Sequence, residues 1–399
     1  MLSFHSASTR MVNSKRAITE CMEAAFGEGH ATDCDLIVIY SSMGHNFQHL
    51  LDQAHEMAPS ARIVGASCCG IVGKEGVSES MKDVAIMAVR GAPEEISVAH
   101  VDGILGSNSY EKGEELGRQL KAQHPGINMV YFMASGIDIA TDRCIAGIES
   151  QLGSGVTIFG ATSADNMKGV ISFQFLDNQV YEHAALAVGF ADPTLEVVTR
   201  ATHGFLATGE PMKVTRAEGN RIIELDGRPA WKVYTERLGL DASATCGDTI
   251  PIGALAEELP EPLKKEYGND HILRVVTKRS DDGVMYYTTE CPEGTKLWLT
   301  VRDEELIFSE MNRMMEWFVE QGNGRTPVAV FHADCLARGR FLFSKVIKDE
   351  LVYCMQRPLS CKGEVPPWLG IYGFGEFARL GGVNTYHNYT TAIYAIYRR

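Results

Sequence analysis

The same order of hydrophobic and polar segments occurs twice in the first half of this chain. Residues 36–103 run an apolar strand (LIVIY), a polar turn, an amphipathic stretch, the segment IVGAS and two further apolar strands. Residues 130–204 repeat this order with VYFMAS, an amphipathic stretch, IFGATS, AALAVGF and LEVVTRATHG. Gly65 and Gly160 hold the same place at the end of a short apolar run. Because a duplicated α/β unit brings equivalent loops side by side, the repeat favours one ligand-binding cleft built from two halves.

Each copy is predicted to contain a strand, an amphipathic helix and a second strand. Apolar residues at helical spacing mark the two helices, at Phe47, Leu50, Leu51, Ala54 and Met57 and again at Ile145, Ile148 and Leu152. This order of elements predicts parallel pairing of the two strands in each copy. Ligand groups in such sheets lie beyond the carboxyl ends of the strands, which places them in segments 41–46, 67–73, 135–138 and 162–166.

A change of pattern near Thr208 predicts a bridge into a second domain. The segment KVTRAEGNRIIELDGRPAWKVY has turn residues between two strand-like runs and Pro229 at the start of a helix, so we expect a hairpin that feeds a helix. Beyond it, a strand, a helix, a glycine-containing strand and a last strand recur, which leaves a diverged third copy open. The predicted fold is α/β, with duplicated strand-helix-strand units forming mixed sheets, and domains at 30–225 and 226–390 with the hairpin-helix bridge between them.

Composition narrows the classes of function. The chain has 399 residues and a formal net charge of -14, with no basic run to offset it, which disfavours binding to nucleic acid. No stretch approaches the roughly 18 consecutive apolar residues of a membrane span, and we read no secretory signal at the start. Ten cysteines without C-x-x-C spacing suit reduced thiols, so we expect a cytoplasmic protein.

The candidate chemistry lies in the last third of the chain. Standard hydrolase, kinase and dehydrogenase signatures fail on spacing. What remains is a polar group of residues near strand ends: Cys335, Arg338, Glu376, His387, Asn388 and Thr390. A guanidinium can bind an anion through two parallel hydrogen bonds, and a carboxylate can accept hydrogen bonds from an amine. These residues therefore suit a zwitterion such as an amino acid. The alternative, in which Arg338 and Glu376 form a structural ion pair and Asn388 caps a turn, stays open.

These elements, C-x-x-R-G, then G-x-x-G-F-G-E, then H-N-x-T, resemble the FIST family of bacterial sensory domains. The resemblance extends upstream through VTRAEGNRIIELDGRPAWKVY, IFGATSADN and IVGASCCGIVGKEGV and covers roughly residues 30–390. It implies two parts, an amino-terminal and a carboxy-terminal FIST domain. It also assigns a ligand role to six positions of this chain: Cys335, Arg338, Gly375, Glu376, His387 and Asn388.

The resemblance implies a small-ligand sensor rather than an enzyme, acting on an output partner in trans. Some stand-alone members bind haem b, sense nitric oxide and regulate a histidine kinase, and haem needs a neutral imidazole in an apolar pocket. The candidates for the iron are His183 and His203, with His45 in a strand-to-helix turn as a further one. A metabolite sensor without haem is one alternative.

A cysteine-dependent enzyme is the other alternative. It would use Cys335 or the Cys68-Cys69 pair as nucleophile and His387 or His332 as base. Its premise is that nearby arginines lower the pKa of Cys335.

Overall fold

The chain folds as three similar α/β units around a shared core, with a largely β insertion inside the third unit. The structure is a computed structural model and describes residues 1–27, 33–339 and 342–399. Residue 30, where the first predicted domain begins, and Arg340, the arginine after Gly339, lie outside the described residues.

The first two units share one order of elements. Unit 1 contains β1 (Ser3–Thr9), α1 (Ser14–Phe26), β2 (Leu36–Ser42), α2 (Phe47–Met57), β3 (Arg62–Cys68), β4 (Ile71–Gly73), β5 (Gly76–Ser78) and β6 (Val84–Arg90). Unit 2 contains β7 (Ile96–Val101), α3 (Ser109–Gln123), β8 (Met129–Ala134), α4 (Thr141–Leu152), β9 (Thr157–Thr162), β10 (Phe173–Leu176), β11 (Gln179–Glu182) and β12 (Ala185–Phe190).

Unit 3 has the same order but is interrupted after its first strand, β13 (Leu195–Thr202). The insertion contains β14 (Phe205–Glu218), β15 (Arg221–Leu225), β16 (Arg228–Pro229), α5 (Ala230–Leu238), α6 (Cys246–Thr249), β17 (Leu255–Glu258), α7 (Glu261–Tyr267), β18 (His271–Arg274), β19 (Lys278–Arg279), β20 (Met285–Tyr286) and β21 (Lys296–Arg302). The unit resumes with α8 (Glu304–Gly322), β22 (Ala329–Cys335), α9 (Lys345–Leu359), β23 (Trp368–Gly373), β24 (Glu376–Leu380), β25 (Val383–His387) and β26 (Thr391–Arg398).

The three units exchange hairpins in a cycle. Their sheets have the orders β1-β6-β2-β3-β10-β11, β7-β12-β8-β9-β24-β25 and β13-β26-β22-β23-β4-β5. Each sheet therefore ends in a hairpin from another unit: unit 1 takes the hairpin of unit 2, unit 2 that of unit 3, and unit 3 that of unit 1. The central pairs β2 and β3, β8 and β9, and β22 and β23 are parallel, as the sequence predicts.

Strand register shows that a third copy exists. Ile39 pairs with Gly65, Phe132 with Gly160, and His332 with Gly370, so the three glycines hold one structural position. The glycines are needed because a Cβ at Gly65 or Gly160 would collide with a carbonyl oxygen of the neighbouring strand. The mixed α/β fold predicted from the sequence is confirmed.

The boundaries of the repeats differ from the sequence frames 36–103 and 130–204. Strand β7, at the end of the first frame, pairs with β12 in the sheet of unit 2, and β13, at the end of the second, pairs with β26 in unit 3. Each repeat in the fold thus begins one strand earlier, because a strand's own hydrophobic pattern does not reveal which neighbour it will pair with.

The inner faces of the three sheets form one continuous core. Val38, Tyr131 and Phe331 hold equivalent positions on the three central strands and are all buried there. The rings of Tyr131 and Phe331 lie 4.5 Å apart between centroids. Because the units share this core, strand ends from different units are held at fixed positions relative to one another.

Several local predictions are confirmed. Helix α2 spans the predicted apolar face, with Leu50, Leu51 and Ala54 buried. The predicted bridge is the hairpin of β14 and β15 followed by α5, with Pro229 directly before the helix. All ten cysteines are free thiols. Within the described ranges, no helix combines the length and apolarity that a bilayer span requires.

Candidate functional site

The structure brings the carboxy-terminal candidate residues together. Strands β24 and β25 place Glu376 directly opposite His387, and Asn388 follows at the next turn. Cys335 ends β22, and its backbone N–H donates to the carbonyl of Thr390 at 3.0 Å. Arg338 lies three residues later in a short turn, Leu336–Arg338. All of these side chains are buried, and they come from the sheets of unit 2 and unit 3.

Glu376 has a carboxylate with one free oxygen. Its Oε2 accepts from the hydroxyl of Thr390 at 2.7 Å, whereas its Oε1 has no hydrogen-bond partner among the described residues. The side chain is fully buried, and this burial holds the pKa of Glu376 well above its usual range. A buried oxygen without a hydrogen-bond partner costs free energy.

The residue of unit 2 that is equivalent to Glu376 has a hydrogen-bond partner that Glu376 lacks. Gln174 pairs with Ala66 as Glu376 pairs with Ala161, next to the shared glycine in each case. The Gln174 amide is satisfied at both ends: its oxygen accepts from the Ala184 N–H at 2.9 Å, and its nitrogen donates to the Ser163 hydroxyl at 2.6 Å. Unit 3 has Gly373 in the place of Ser163, so no side chain meets the free oxygen of Glu376.

Arg338 pairs with Asp334 and not with Glu376. Its Nε donates to Asp334 Oδ1 at 3.0 Å, and its guanidinium lies 5.6 Å from the ring centroid of Phe343. The interpretation of Arg338 and Glu376 as a structural ion pair is therefore wrong. Arg338 Nη1 is buried and has no hydrogen-bond partner among the described residues. The site thus offers one unpaired donor and one unpaired acceptor.

His387 serves as a neutral support. Its Nε2 lies 3.2 Å from the carbonyl of Ala378, so this nitrogen carries the proton, and its Nδ1 accepts from the Tyr267 hydroxyl at 3.2 Å. Burial is the largest cause that lowers the pKa of His387 to about 3. Both ring nitrogens are used, so His387 positions the hairpin and has no free atom for a ligand.

Gly375 and Asn388 hold the turn around the site. A Cβ at Gly375 would collide with the hydroxyl of Tyr386. The side-chain nitrogen of Asn388 donates to the carbonyl of Phe374 at 3.0 Å and to the Tyr386 hydroxyl at 3.2 Å. These contacts fix the backbone on either side of Glu376, which agrees with the alternative role for Asn388 as a turn-forming residue.

A small, largely apolar pocket of about 50 Å³ lies beside this polar group. The residues that line it come from the ends of four strands and from the insertion: Gly136, Ile137, Met167, Lys168, Gly169, Cys246, Gly247, Ile250, Val275, Val276, Thr277, Cys335, Leu336, Ala337 and Phe374. Two of the loops predicted to carry ligand groups, 135–138 and 162–166, reach or adjoin this pocket. Phe374 and Ala337 stand in its wall one or two residues from Glu376 and Arg338.

The premise of the cysteine alternative is wrong for Cys335. Burial, with the nearby Glu376 as the second cause, raises the pKa of this thiol well above its ordinary value. Burial also raises the pKa of Cys68. The other proposed base, His332, shares its Nε2 with the Thr391 hydroxyl at 2.8 Å. A buried neutral thiol is a poor nucleophile.

The three histidines proposed for haem iron lie in different surroundings. His203 is buried, its Nε2 bonds the carbonyl of His271 at 2.9 Å, and its Nδ1 accepts from the Phe205 N–H at 3.1 Å. His183 is exposed in a turn with φ of 51°. His45 bonds Ser14 through Nδ1 at 3.1 Å, and only its Nε2 is left without a partner.

Of these three side chains, His203 is a poor ligand for haem iron, because coordination would break one of its two hydrogen bonds. Among the described residues, no histidine lines the pocket near Glu376, and that pocket is too small for a porphyrin.

Sequence reasoning missed several residues of the site. Asp334 and Tyr267 became visible only through their partners, and Lys168 through the pocket that it lines. Asp334 had one usable signal, since it is an acidic residue near the end of an apolar strand. Tyr267 had none, because it comes from an insertion whose placement the sequence does not reveal.

Comparison with solved structures gives only distant likenesses. A cyanuric acid hydrolase from A. caulinodans is 8% identical with a TM-score of 0.30, covering 51% of this chain and 72% of that one. A second cyanuric acid hydrolase is 9% identical with a TM-score of 0.34, over 100% of both chains. These TM-scores are too low to support any inference.

Comparison of sequences is more informative. Curated relatives from two strains of Mycobacterium tuberculosis, both described as uncharacterized proteins, are 24% identical over 386 residues, which is 95% of this chain and of each relative. Residues 35–228 match the FIST N domain, and residues 230–379 match the FIST C domain. FIST domains are in general sensory domains that take small ligands in signal transduction. With both domains present in order over most of its length, the chain belongs to the FIST family.

Proposed function

We propose that this chain is a cytoplasmic sensory protein that binds a small metabolite, without haem, and signals to an output partner in trans, such as a histidine kinase. The observation that carries the proposal is the free Oε1 of Glu376, which is fully buried two residues from Phe374, a residue in the wall of the apolar pocket. The family membership supports a sensory role, and the geometry supports a ligand that donates a hydrogen bond at this oxygen.

The chemistry of the site favours an amphoteric ligand. Glu376 offers an acceptor, the Nη1 of Arg338 offers a donor, and the pocket wall beside them is apolar. An amino acid or a related metabolite combines an amine, a carboxylate and a small apolar body. Although burial favours the neutral form of Glu376, a cationic amine beside it favours the carboxylate, so ligand and side chain would stabilise each other's charges.

The first prediction concerns Glu376→Gln. This change keeps the shape of the side chain and an oxygen for Thr390, but an amide nitrogen replaces one acceptor. A panel of amino acids and related metabolites is screened by thermal shift, and affinities of the hits are measured by calorimetry. We expect E376Q to weaken the hit by at least about tenfold while its melting temperature without ligand stays the same or rises, because a buried ionisable group is removed.

Glu56→Gln, an exposed change on α2, is the matched control and is expected to bind as the wild type does. Unchanged affinity in E376Q would contradict the role of Glu376, and a panel without any hit would contradict an amphoteric metabolite. A Soret band in protein purified with added haem would contradict the haem-free part of the proposal.

A further inference from the structure

The connection between the third strand and the hairpin is much longer in unit 2 than in the other two units. It comprises residues 69–70 in unit 1 and 374–375 in unit 3, but residues 163–172 in unit 2. The extra segment, 165–172, has no counterpart in the other units, so the shared fold does not require it. We call it the unit 2 loop.

One buried carboxylate fixes the shape of the unit 2 loop. Asp165 is 1% exposed and accepts four backbone N–H groups. Its Oδ1 accepts from the N–H groups of Lys168 at 2.7 Å and Gly169 at 3.1 Å. Its Oδ2 accepts from the N–H groups of Val170 at 2.9 Å and Ile171 at 3.4 Å. Hydrogen bonds to a carboxylate are among the stronger ones, so the loop is held in one conformation. Met167 also keeps a φ of 79°, which is uncommon for a residue with a side chain.

This loop supplies the charge at the pocket. Met167, Lys168 and Gly169 line the pocket beside Glu376, and Lys168 is the one charged residue among the described residues that line it. Its side chain is exposed and forms no ion pair within the described part of the chain. A lysine held by a fixed loop at the mouth of an apolar pocket is placed to meet an anion.

We propose that Lys168 determines the specificity of the pocket, selecting ligands with an anionic group at the end that faces solvent. This inference rests on the proposed function, since it takes the pocket as the ligand site. The ligand class is then narrowed to organic anions whose apolar body enters the pocket and whose anionic group stays at its mouth. Asp165 is the positioning residue, because it sets where the lysine stands.

The test uses two small probes of the same shape and different charge, fluoroacetate and fluoroacetamide, in titrations followed by fluorine NMR. We expect the wild type to bind fluoroacetate at least about fivefold more tightly than fluoroacetamide. Lys168→Met should abolish this preference by weakening the binding of fluoroacetate alone. Lys168→Arg should keep it, and so should Lys345→Met, a matched exposed lysine at the start of α9.

A further variant separates this inference from the proposed function. Ile137→Trp narrows the pocket and should weaken both probes. One result would overturn the role of Lys168 but leave the pocket as the ligand site. In this result both probes bind and I137W weakens both, but either the wild type shows no preference for the anion or K168M keeps that preference. If neither probe binds, or I137W changes nothing, the pocket itself is overturned as the ligand site, and Lys168 with it.

Discussion

Two buried carboxyl groups in the site differ in what surrounds them. Asp334 has the guanidinium of Arg338 within hydrogen-bond distance, so its charge is balanced inside the protein. Glu376 has one hydroxyl and a free oxygen. Since a folded protein seldom leaves a buried acceptor unpaired, this difference supports the proposal that Glu376 meets a ligand.

Two buried histidines make stability depend on pH. Burial lowers the pKa of His203 to about 4 and that of His387 to about 3, both below the value in an unfolded chain. A histidine with a lowered pKa stabilises the fold above its unfolded pKa, and that contribution is lost as pH falls. As the pH falls from about 7 to about 5, we expect each of the two histidines to lower the free energy of unfolding by roughly 2 kcal/mol.

Urea unfolding of His203→Gln and His387→Gln at both pH values measures this effect. Each variant should lose less stability than the wild type over that interval, by roughly 2 kcal/mol. His183→Gln, at an exposed histidine, is the control and should follow the wild type. If H203Q and H387Q lost as much stability as the wild type, the two rings would not be the neutral groups described above.

At this scale the sequence located the site better than it assigned the roles. Cys335, Glu376, His387 and Asn388 were found because they lie near the ends or starts of predicted strands. Their roles depend on hydrogen-bond partners that come from other segments, such as Tyr267 of the insertion for His387. The same limit applies to Asp165, whose four N–H donors are neighbours in sequence but whose burial depends on the packing of the loop.

At the scale of elements, a glycine recurs at the same position of β3, β9 and β23, and it is required there for steric reasons. Gly160 has a φ of 139°, and a Cβ there would collide with the carbonyl oxygen of Phe132 on the neighbouring strand. Gly155, in the turn before the same strand, has an ordinary φ and no atom within contact distance of such a Cβ. The two glycines therefore form a matched pair.

We predict that Gly160→Ala lowers the free energy of unfolding by roughly 2–3 kcal/mol, because both the backbone conformation and the strand spacing must change. Gly155→Ala should stay within about 0.5 kcal/mol of the wild type. Urea titrations followed by circular dichroism compare the two. Equal stability of G160A and G155A would contradict the steric explanation of the repeated motif.

Elements were predicted well where one stretch of sequence decides them. Helix α2 follows from its apolar face, and the bridge hairpin follows from its turn residues. Strand partners were not predictable in this way. Strand β24 pairs with β9 although more than two hundred residues separate them, and nothing in either strand's pattern specifies this choice.

At the scale of the whole molecule, the cycle of hairpins links the two FIST domains into one structure. The sheet of unit 2 receives β24 and β25 from the C domain, and the sheet of unit 3 receives β4 and β5 from the N domain. The pocket depends on this exchange, since Phe374 precedes the exchanged strand β24 and Ile137 belongs to unit 2. The sheets therefore cross the boundary between the two domains in sequence.

The last prediction is that neither half of the chain folds alone. A fragment of residues 1–193 lacks the hairpin that ends the sheet of unit 2, and residues 194–399 lack the hairpin that ends the sheet of unit 3, so each exposes an unpaired edge and part of the shared core. We expect one cooperative urea transition for the full chain, shallow transitions for each fragment, and recovery of the cooperative transition when the fragments are co-expressed. A sharp, independent transition with native near-ultraviolet circular dichroism for residues 1–193 would contradict this. The exchanged hairpins would then not be needed for folding, and each domain would fold independently. The site around Glu376 would form only when the two domains associate.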